Sequence, residues 1–200
     1  QSRSFRRLVF DEICANFLTL SENRTRVRSF KLSKKFSEVL SNNIQKKLSF
    51  SLTSGQLKTL NEINLDLKSD KRMFRIIQGD VGSGKTIVSF ITSANVLETG
   101  FQASLMAPTA ILAKQHFNLA KKIFEKTQIK IEILTGKTEL KTRKKILEKL
   151  KKGEIDFLIG THALFQKKIE FKKLGLIIID EQHKFGVNQR KKLSEKGDFN

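Results

Sequence analysis

The sequence predicts an α/β fold in which a parallel sheet is covered on both faces by helices and preceded by a helical lead-in. Two observations predict it. From Phe50 onward, short apolar runs of strand type alternate with longer stretches of helical period, and strands joined through helices run parallel. In addition, Gly79-Asp80-Val81-Gly82-Ser83-Gly84-Lys85-Thr86 fits the pattern G-x-x-x-x-G-K-[ST] at every position, and that loop is built between a strand and a helix.

Residues 1–49 carry no strand signal. Phe5, Leu8, Val9, Ile13, Phe17 and Leu20 recur at three- and four-residue spacings, and Phe36, Leu40, Ile44 and Leu48 at every fourth position, the period of one helix face. The polar, basic stretch 21–28 between them suits a bend. No Gly or Pro precedes Gly55, so this lead-in reads as a helical connector, with a domain boundary expected between 49 and 50. Beyond it, 56–67 reads as helix, 73–77 as a short buried strand leading into the Gly-rich loop, and 86–97 as an amphipathic helix leading out. Further strands are expected at 103–107, 130–134, 157–159 and 174–179, with helices at 110–124 and 138–152. Gly100 and Gly153 fall where helix C-caps are expected.

Composition narrows the class. Hydrophobic residues make up 38% of the 200, and 16 Phe with no Trp or Tyr leave phenylalanine to carry the aromatic packing. The one cysteine, Cys14, cannot form an internal disulfide. It lies on an apolar helical stripe and reads as a buried thiol, which together with a nucleotide loop points to a reducing, cytoplasmic setting. No apolar run approaches the ~18 residues of a membrane span and no signal-peptide pattern opens the chain, so no membrane partner is expected. The chain begins at Gln1 rather than Met and is expected to be a fragment. Thirty-nine basic against 20 acidic residues give a net charge of +19, which favours a polyanionic partner. The lysine pairs 121–122, 144–145, 151–152 and 172–173 are equally compatible with a solvated lysine surface.

The loop has a definite chemistry. Gly79, Gly82, Ser83 and Gly84 bring unpaired backbone N–H groups to a helix N-terminus, which forms an anion site. Lys85 reaches the outer phosphates of a nucleoside triphosphate, and Thr86 offers a hydroxyl to Mg²⁺. A dinucleotide-binding reading fails, because Ile87 stands where a third glycine belongs and no acid ends the next strand near Ala107. The run 174–181, Leu-Gly-Leu-Ile-Ile-Ile-Asp-Glu, supplies the other half. Asp180 at the strand tip is placed to hold Mg²⁺, and Glu181 to orient or deprotonate an attacking water.

Asp180-Glu181-Gln182-His183 is a D-E-x-H sequence and resembles the Walker B motif of superfamily 2 helicases. GDVGSGKT, then MAPTAILAKQH (106–116), GTHALFQ (160–166) and IIDEQHKFGVNQR (178–190) together resemble, in order and over nearly the whole chain, the first motor lobe of the RecG family of branched-DNA helicases. SLTSGQ (51–56) resembles that family's adenine-recognising Q motif, and SFRRLVFDEI (4–13) the connector joining its DNA-binding wedge domain to the motor. The resemblance implies a RecA-like P-loop NTPase lobe over 50–200, with ATP and Mg²⁺ as cofactors. It implies that ATP hydrolysis drives movement on duplex or branched DNA such as stalled forks and Holliday junctions, in recombination and repair. It makes Lys85, Asp180, Glu181 and His183 the catalytic set, with His183 coupling the ATP site to neighbouring motifs, and Gln56 the adenine-facing residue. DNA contacts fall to Pro108-Thr109, Thr135-Gly136-Lys137 and Gly160-Thr161-His162, each just after a strand, and to Phe185 and Arg190. Core packing is an equal reading for Phe185. Ala110 and Lys184 depart from the family pattern, which commonly has an acid and an arginine there.

A second lobe carrying an arginine finger is implied as the partner of this one, along with the wedge domain. Without the finger, worth ~10³-fold or more in rate, the isolated chain is expected to turn over ATP very slowly. Two other readings stay open: the lobe of an Mfd-like transcription-repair coupling translocase, and a nucleotide- or DNA-binding module without turnover. Ser83 and Gln182 favour the RecG pattern over Mfd. The absence of L-S-G-G-Q and N-K-x-D sequences argues against a transporter ATPase or a GTPase. His162 and His183 with one distant cysteine complete no zinc ligand set.

Overall fold

The computed structural model describes residues 33–166 and 169–181, with Arg7, Phe10, Cys14 and Lys184 besides. In chain order its elements are α1 (Val39–Lys47), α2 (Ser54–Lys68), α3 (Lys85–Glu98), β1 (Gln102–Met106), α4 (Ala110–Ile123), β2 (Ile131–Leu134), α5 (Leu140–Lys152), β3 (Phe157–Gly160), a 3-10 turn (His162–Phe165) and β4 (Leu174–Ile179). The four strands pair in the order β2-β3-β1-β4, all parallel. Their carboxyl ends fall in one line, because Leu134 pairs with Gly160, Gly160 with Met106, and Met106 with Ile179.

Strand alternation divides the interior in two. Ala103, Leu105, Phe157, Ile159, Leu176 and Ile178 point to one face, where α3 and α4 pack; Met106, Leu134, Leu158, Ile177 and Ile179 point to the other, against Ile146 and Leu150 of α5. Both faces are therefore covered, as expected for strands that read as continuous apolar runs. Phenylalanine does carry the aromatic packing. The rings of Phe90, Phe124 and Phe157 meet edge to face, with centroids 6.1–6.5 Å apart, a geometry worth ~0.5–1.5 kcal/mol per pair beyond area burial.

The helix after the loop is not amphipathic, contrary to the sequence reading. Every residue of α3 from Val88 to Leu97 is buried, because α1 and α2 lie over the side turned away from the sheet. Its polar residues are accommodated internally: Ser93 Oγ donates to Ser89 O at 2.8 Å and Asn95 Nδ2 to Asn64 Oδ1 at 2.9 Å. The packing also reaches back past the expected boundary at 49. Phe36 and Ile44 belong to the same buried cluster as α3, Lys34 N donates to Leu67 O at 3.2 Å, and Lys68 pairs with Glu38 at 2.8 Å. The helical stripe over 5–20 and the bend at 21–28 lie outside the described residues, apart from Arg7, Phe10 and Cys14, the last of which is half-buried.

A second correction concerns 73–77. This segment forms no regular element and pairs with no strand among the described residues, and Phe74 and Ile76 are 67% and 71% exposed. Met73 and Ile77 pack against the core, while Arg75 turns to α2 and pairs with Glu62 and Asp66 at 2.6 and 2.8 Å. An apolar run becomes a buried strand only where it is hydrogen-bonded to a sheet edge; among the described residues β4 ends the sheet, and 73–77 is not paired to it.

Candidate active site

The phosphate loop takes its shape from its glycines. Gly82 and Gly84 have φ of 82° and 79°, the left-handed region that costs a side chain ~1–2 kcal/mol. Gly84 is the N-cap of α3 and offers no side-chain cap, so the first N–H groups of that helix face the loop with the positive end of the helix dipole. Lys85 Nζ folds back into this cradle, donating to Gly79 O at 2.8 Å and Asp80 O at 2.7 Å, with Ser83 Oγ at 3.4 Å. The cradle thus presents a positive charge and helix N–H groups to one spot, a donor set that fits a polyphosphate. Thr86 follows as the second residue of α3 and is half-buried.

Gln56 meets the loop from the other side. It closes a capping box at the start of α2, with its Oε1 accepting from Thr53 N at 2.9 Å and its own N–H donating to Thr53 Oγ1 at 3.3 Å. Its Nε2 donates to Ser83 O at 2.9 Å. Both ends of the amide are thus used within the protein, and it abuts the loop so closely that a Cβ on Gly84 would lie 2.3 Å from Nε2. The adenine-facing role read from the sequence competes with this one, in which the amide buttresses the loop.

Asp180 follows the last residue of β4. Its N–H donates to Met106 O at 2.8 Å, extending the β1–β4 ladder one residue past the strand and holding the side chain at the carboxyl edge of the sheet. His116 Nε2 lies 2.8 Å from Asp180 Oδ2. The Asp180 carboxyl is held below the ordinary carboxylate range, first by that hydrogen bond and, against partial burial, also by the Glu181 backbone N–H and the Lys85 charge. An ionised carboxylate only accepts, so His116 Nε2 carries the proton between them. Glu181 turns the chain off the strand with φ of 51° and is exposed. Gln182, His183, Phe185 and Arg190 lie outside the described residues.

The other expected residues share the same edge unequally. Thr109 is exposed, but its hydroxyl accepts from Leu112 N at 3.2 Å as the N-cap of α4; Pro108 beside it is half-buried. Gly136 and Lys137 form an exposed turn after β2, and His162 is exposed at the start of the 3-10 turn. Gly160 and Thr161 are different. A Cβ on Gly160 would stand 2.2 Å from Leu134 O, so this glycine is required by the close approach of β2 and β3. Thr161 is 3% exposed, with its hydroxyl enclosed and unpartnered. As folded here, neither presents an atom to a nucleic acid. Of the residues expected to contact DNA, Thr109, Gly136, Lys137 and His162 are exposed at this edge.

No group of three or more His, Cys, Asp or Glu among the described residues could hold a metal. A cation here would be shared between Thr86, Asp180 and oxygens from phosphate and water, the sparse protein ligation that suits Mg²⁺. His116 was not marked by the sequence reading. The signal available was its position on α4 in the stripe of Ala113, His116, Phe117 and Ala120, all buried: a lone polar residue on an apolar face requires a partner.

A phosphate loop and a strand-end acid at one edge of a parallel sheet define a P-loop nucleotide-hydrolase lobe, and the comparisons with known proteins specify which. The DEAD/DEAH box helicase family matches residues 53–197, and the chain belongs to that family. Within it, the chain is similar to proteins named ATP-dependent DNA helicase RecG. That of Streptococcus pneumoniae is 43% identical over 198 residues, covering 98% of this chain and 29% of the relative. That of Bacillus subtilis is 51% identical over 152 residues, covering 76% of this chain and 22% of the relative. A solved structure of RecG bound to a three-way DNA junction superposes with a TM-score of 0.77 at 42% identity, covering 86% of this chain and 23% of its own. A hypothetical ATP-dependent RNA helicase from Sulfolobus tokodaii shares the fold, with a TM-score of 0.60 at 20% identity and coverage of 78% of this chain and 46% of its own. The chain spans about a quarter of the length of the curated relatives it matches. None of its described helices is long and apolar enough to cross a membrane.

Proposed function

We propose that this chain is the first motor lobe of an ATP-dependent DNA helicase that acts on branched DNA in recombination and repair. The observation that carries the reading is the presence of both half-sites. Lys85 Nζ lies in the cradle of the phosphate loop, and Asp180, which follows β4, is held at the carboxyl edge of the sheet by Met106 O and His116 Nε2. The similarity to RecG proteins, one of them solved on a DNA junction, supports the choice of partner. Bound at this edge, Mg²⁺ supplies charge neutralisation to the phosphates of ATP. Lys85 leaves the Gly79 and Asp80 carbonyls to meet the outer phosphates, the helix N–H groups at Gly84 and beyond receive them, Thr86 and Asp180 orient the cation, and Glu181 orients water. Thr109, Gly136, Lys137 and His162 form the backbone-reading contacts, which position a strand without reading its sequence. His183, Phe185 and Arg190 couple that contact to hydrolysis.

On this reading the segment 1–49 connects to a DNA-binding wedge domain and a second RecA-like lobe completes the site, as the quarter-length match to the relatives supports. The cytoplasm is the setting on this reading, by likeness to the bacterial RecG proteins. The test is ATPase activity of the full-length protein with fork DNA, linear duplex and no DNA. Stimulation by the fork above linear duplex is expected. No stimulation by either would remove the helicase assignment, and equal stimulation together with RNA polymerase binding would favour an Mfd-like translocase.

A further inference from the structure

We propose that His116 is a positioning residue for the metal-holding carboxylate: it fixes Asp180 in the rotamer that leaves the remaining oxygen directed to the cation. The inference rests on the ATP-hydrolysing reading above, in which Asp180 holds Mg²⁺. Three observations carry it. First, His116 is built into the fold rather than lying against it. It stands two turns into α4, 9% exposed, between the buried Ala113 and Ala120. Second, the two elements concerned share one root. β1 and β4 are paired through Met106 and Ile179, Asp180 N bonds Met106 O, and α4 begins four residues after Met106. The distance from the base of α4 to the tip of β4 is therefore set by the sheet and not by loop conformation. Third, the contact is specific: Nε2 to Oδ2 at 2.8 Å, across 64 residues of sequence.

The chemistry follows from the carboxylate's geometry. A free Asp side chain rotates about χ1 and χ2 and can present either oxygen, or both, to a cation. Tying Oδ2 to the ring N–H of a buried histidine removes that freedom. Outer partners of this kind typically alter metal affinity or activity ~10–100-fold when removed. His116 has a second consequence. It joins α4, whose N-cap Thr109 belongs to the exposed edge offered to DNA, to the acid that serves the nucleotide, so one rigid helix spans both.

The test compares amides of different reach in the full-length protein. His116→Gln places an N–H near the position of Nε2, whereas His116→Asn is polar but too short to reach Oδ2. Mn²⁺ bound in the presence of ATP is titrated by the electron paramagnetic resonance signal of the free ion, and the Mg²⁺ dependence of ATP hydrolysis is followed in parallel. His116→Asn is expected to weaken metal binding by ~10–100-fold while metal-free nucleotide binding stays within about twofold, and His116→Gln to restore most of the loss. Equal metal affinity in His116→Asn and the parent protein would overturn the proposal. So would an equal loss in both variants accompanied by a lowered melting temperature, which is the signature of packing alone. If the parent protein itself binds no metal with ATP, the underlying assignment of Asp180 falls instead, and Asp180→Ala serves as that control.

Discussion

The two halves of the candidate site are held by different means. Asp180 is supported by the sheet: its N–H extends the β1–β4 ladder and its carboxylate is met by a buried histidine from a packed helix. The phosphate loop is supported at its helical end by α3 and from the side by Gln56, but the segment leading into it, 73–77, is paired to no strand among the described residues and leaves Phe74 and Ile76 exposed. A loop whose shape is written in glycine torsions needs no sheet to form. A carboxylate that must sit at a fixed point in space does.

The largest expected effect tests the local half. Lys85→Ala should lower ATP turnover of the full-length protein by about 10²–10³-fold, the scale for loss of one preorganised charge donor, with thermal stability little changed, since Lys85 Nζ bonds only an exposed loop. Steady-state hydrolysis and a melting curve check both parts. A large drop in melting temperature would mean that the loop is part of the structural core.

Two glycines then separate the halves by stability. Gly160→Ala drives a Cβ to 2.2 Å from the Leu134 carbonyl, a backbone atom that cannot move aside, and is expected to cost about 1–3 kcal/mol or more from overpacking. Gly82→Ala meets nothing within 4 Å and pays only for its φ of 82°, about 1–2 kcal/mol at most. Urea midpoints of the two variants should fall in that order. The reverse order would place the structural constraint in the loop.

The smallest effect is a pH dependence at the sheet-held half. The Asp180 pKa is lower in the folded protein than its ordinary value, so between that depressed pKa and ~4 the folded state carries fewer protons than the unfolded chain, and above ~4 the carboxylate's stabilisation of the fold is fully present. That contribution is lost as pH falls through the depressed folded pKa. Asp180→Asn should therefore lower the urea midpoint at pH 7 and converge on the parent protein in acid. A difference that is constant from pH 7 down to pH 3 would show that the His116 contact gives Asp180 no charge-dependent stability.

Much of this was legible because it is local. The helices and the four paired strands follow from 3.6- and 2-residue periodicities and from the expected C-cap at Gly153, each a matter of a few neighbouring residues. The loop and the strand-end acid were legible as motifs, since Gly82, Gly84, Lys85 and Asp180 are required one by one by phosphate and cation chemistry. Where burial depends on what lies opposite, the residues did not say. Val88 to Leu97 read as one-faced until α1 and α2 covered the second face, and 73–77 read as a buried strand although it pairs with no strand among the described residues. The resemblance implied a DNA contact at Gly160, and no local pattern showed that its missing side chain also makes room for Leu134 O.

By itself, then, the sequence determined the α/β class, the phosphate cradle, the acid that answers it and the resemblance to a helicase motor, because each rests on contiguous residues whose chemistry does not depend on partners. Tertiary structure alone decided that β1 is central, that Gln56 spends its amide on the loop, that Thr161 is enclosed, and that His116 grips Asp180. These depend on which strand edge and which helix face meet across tens of residues, and the register of the parallel sheet sets those distances.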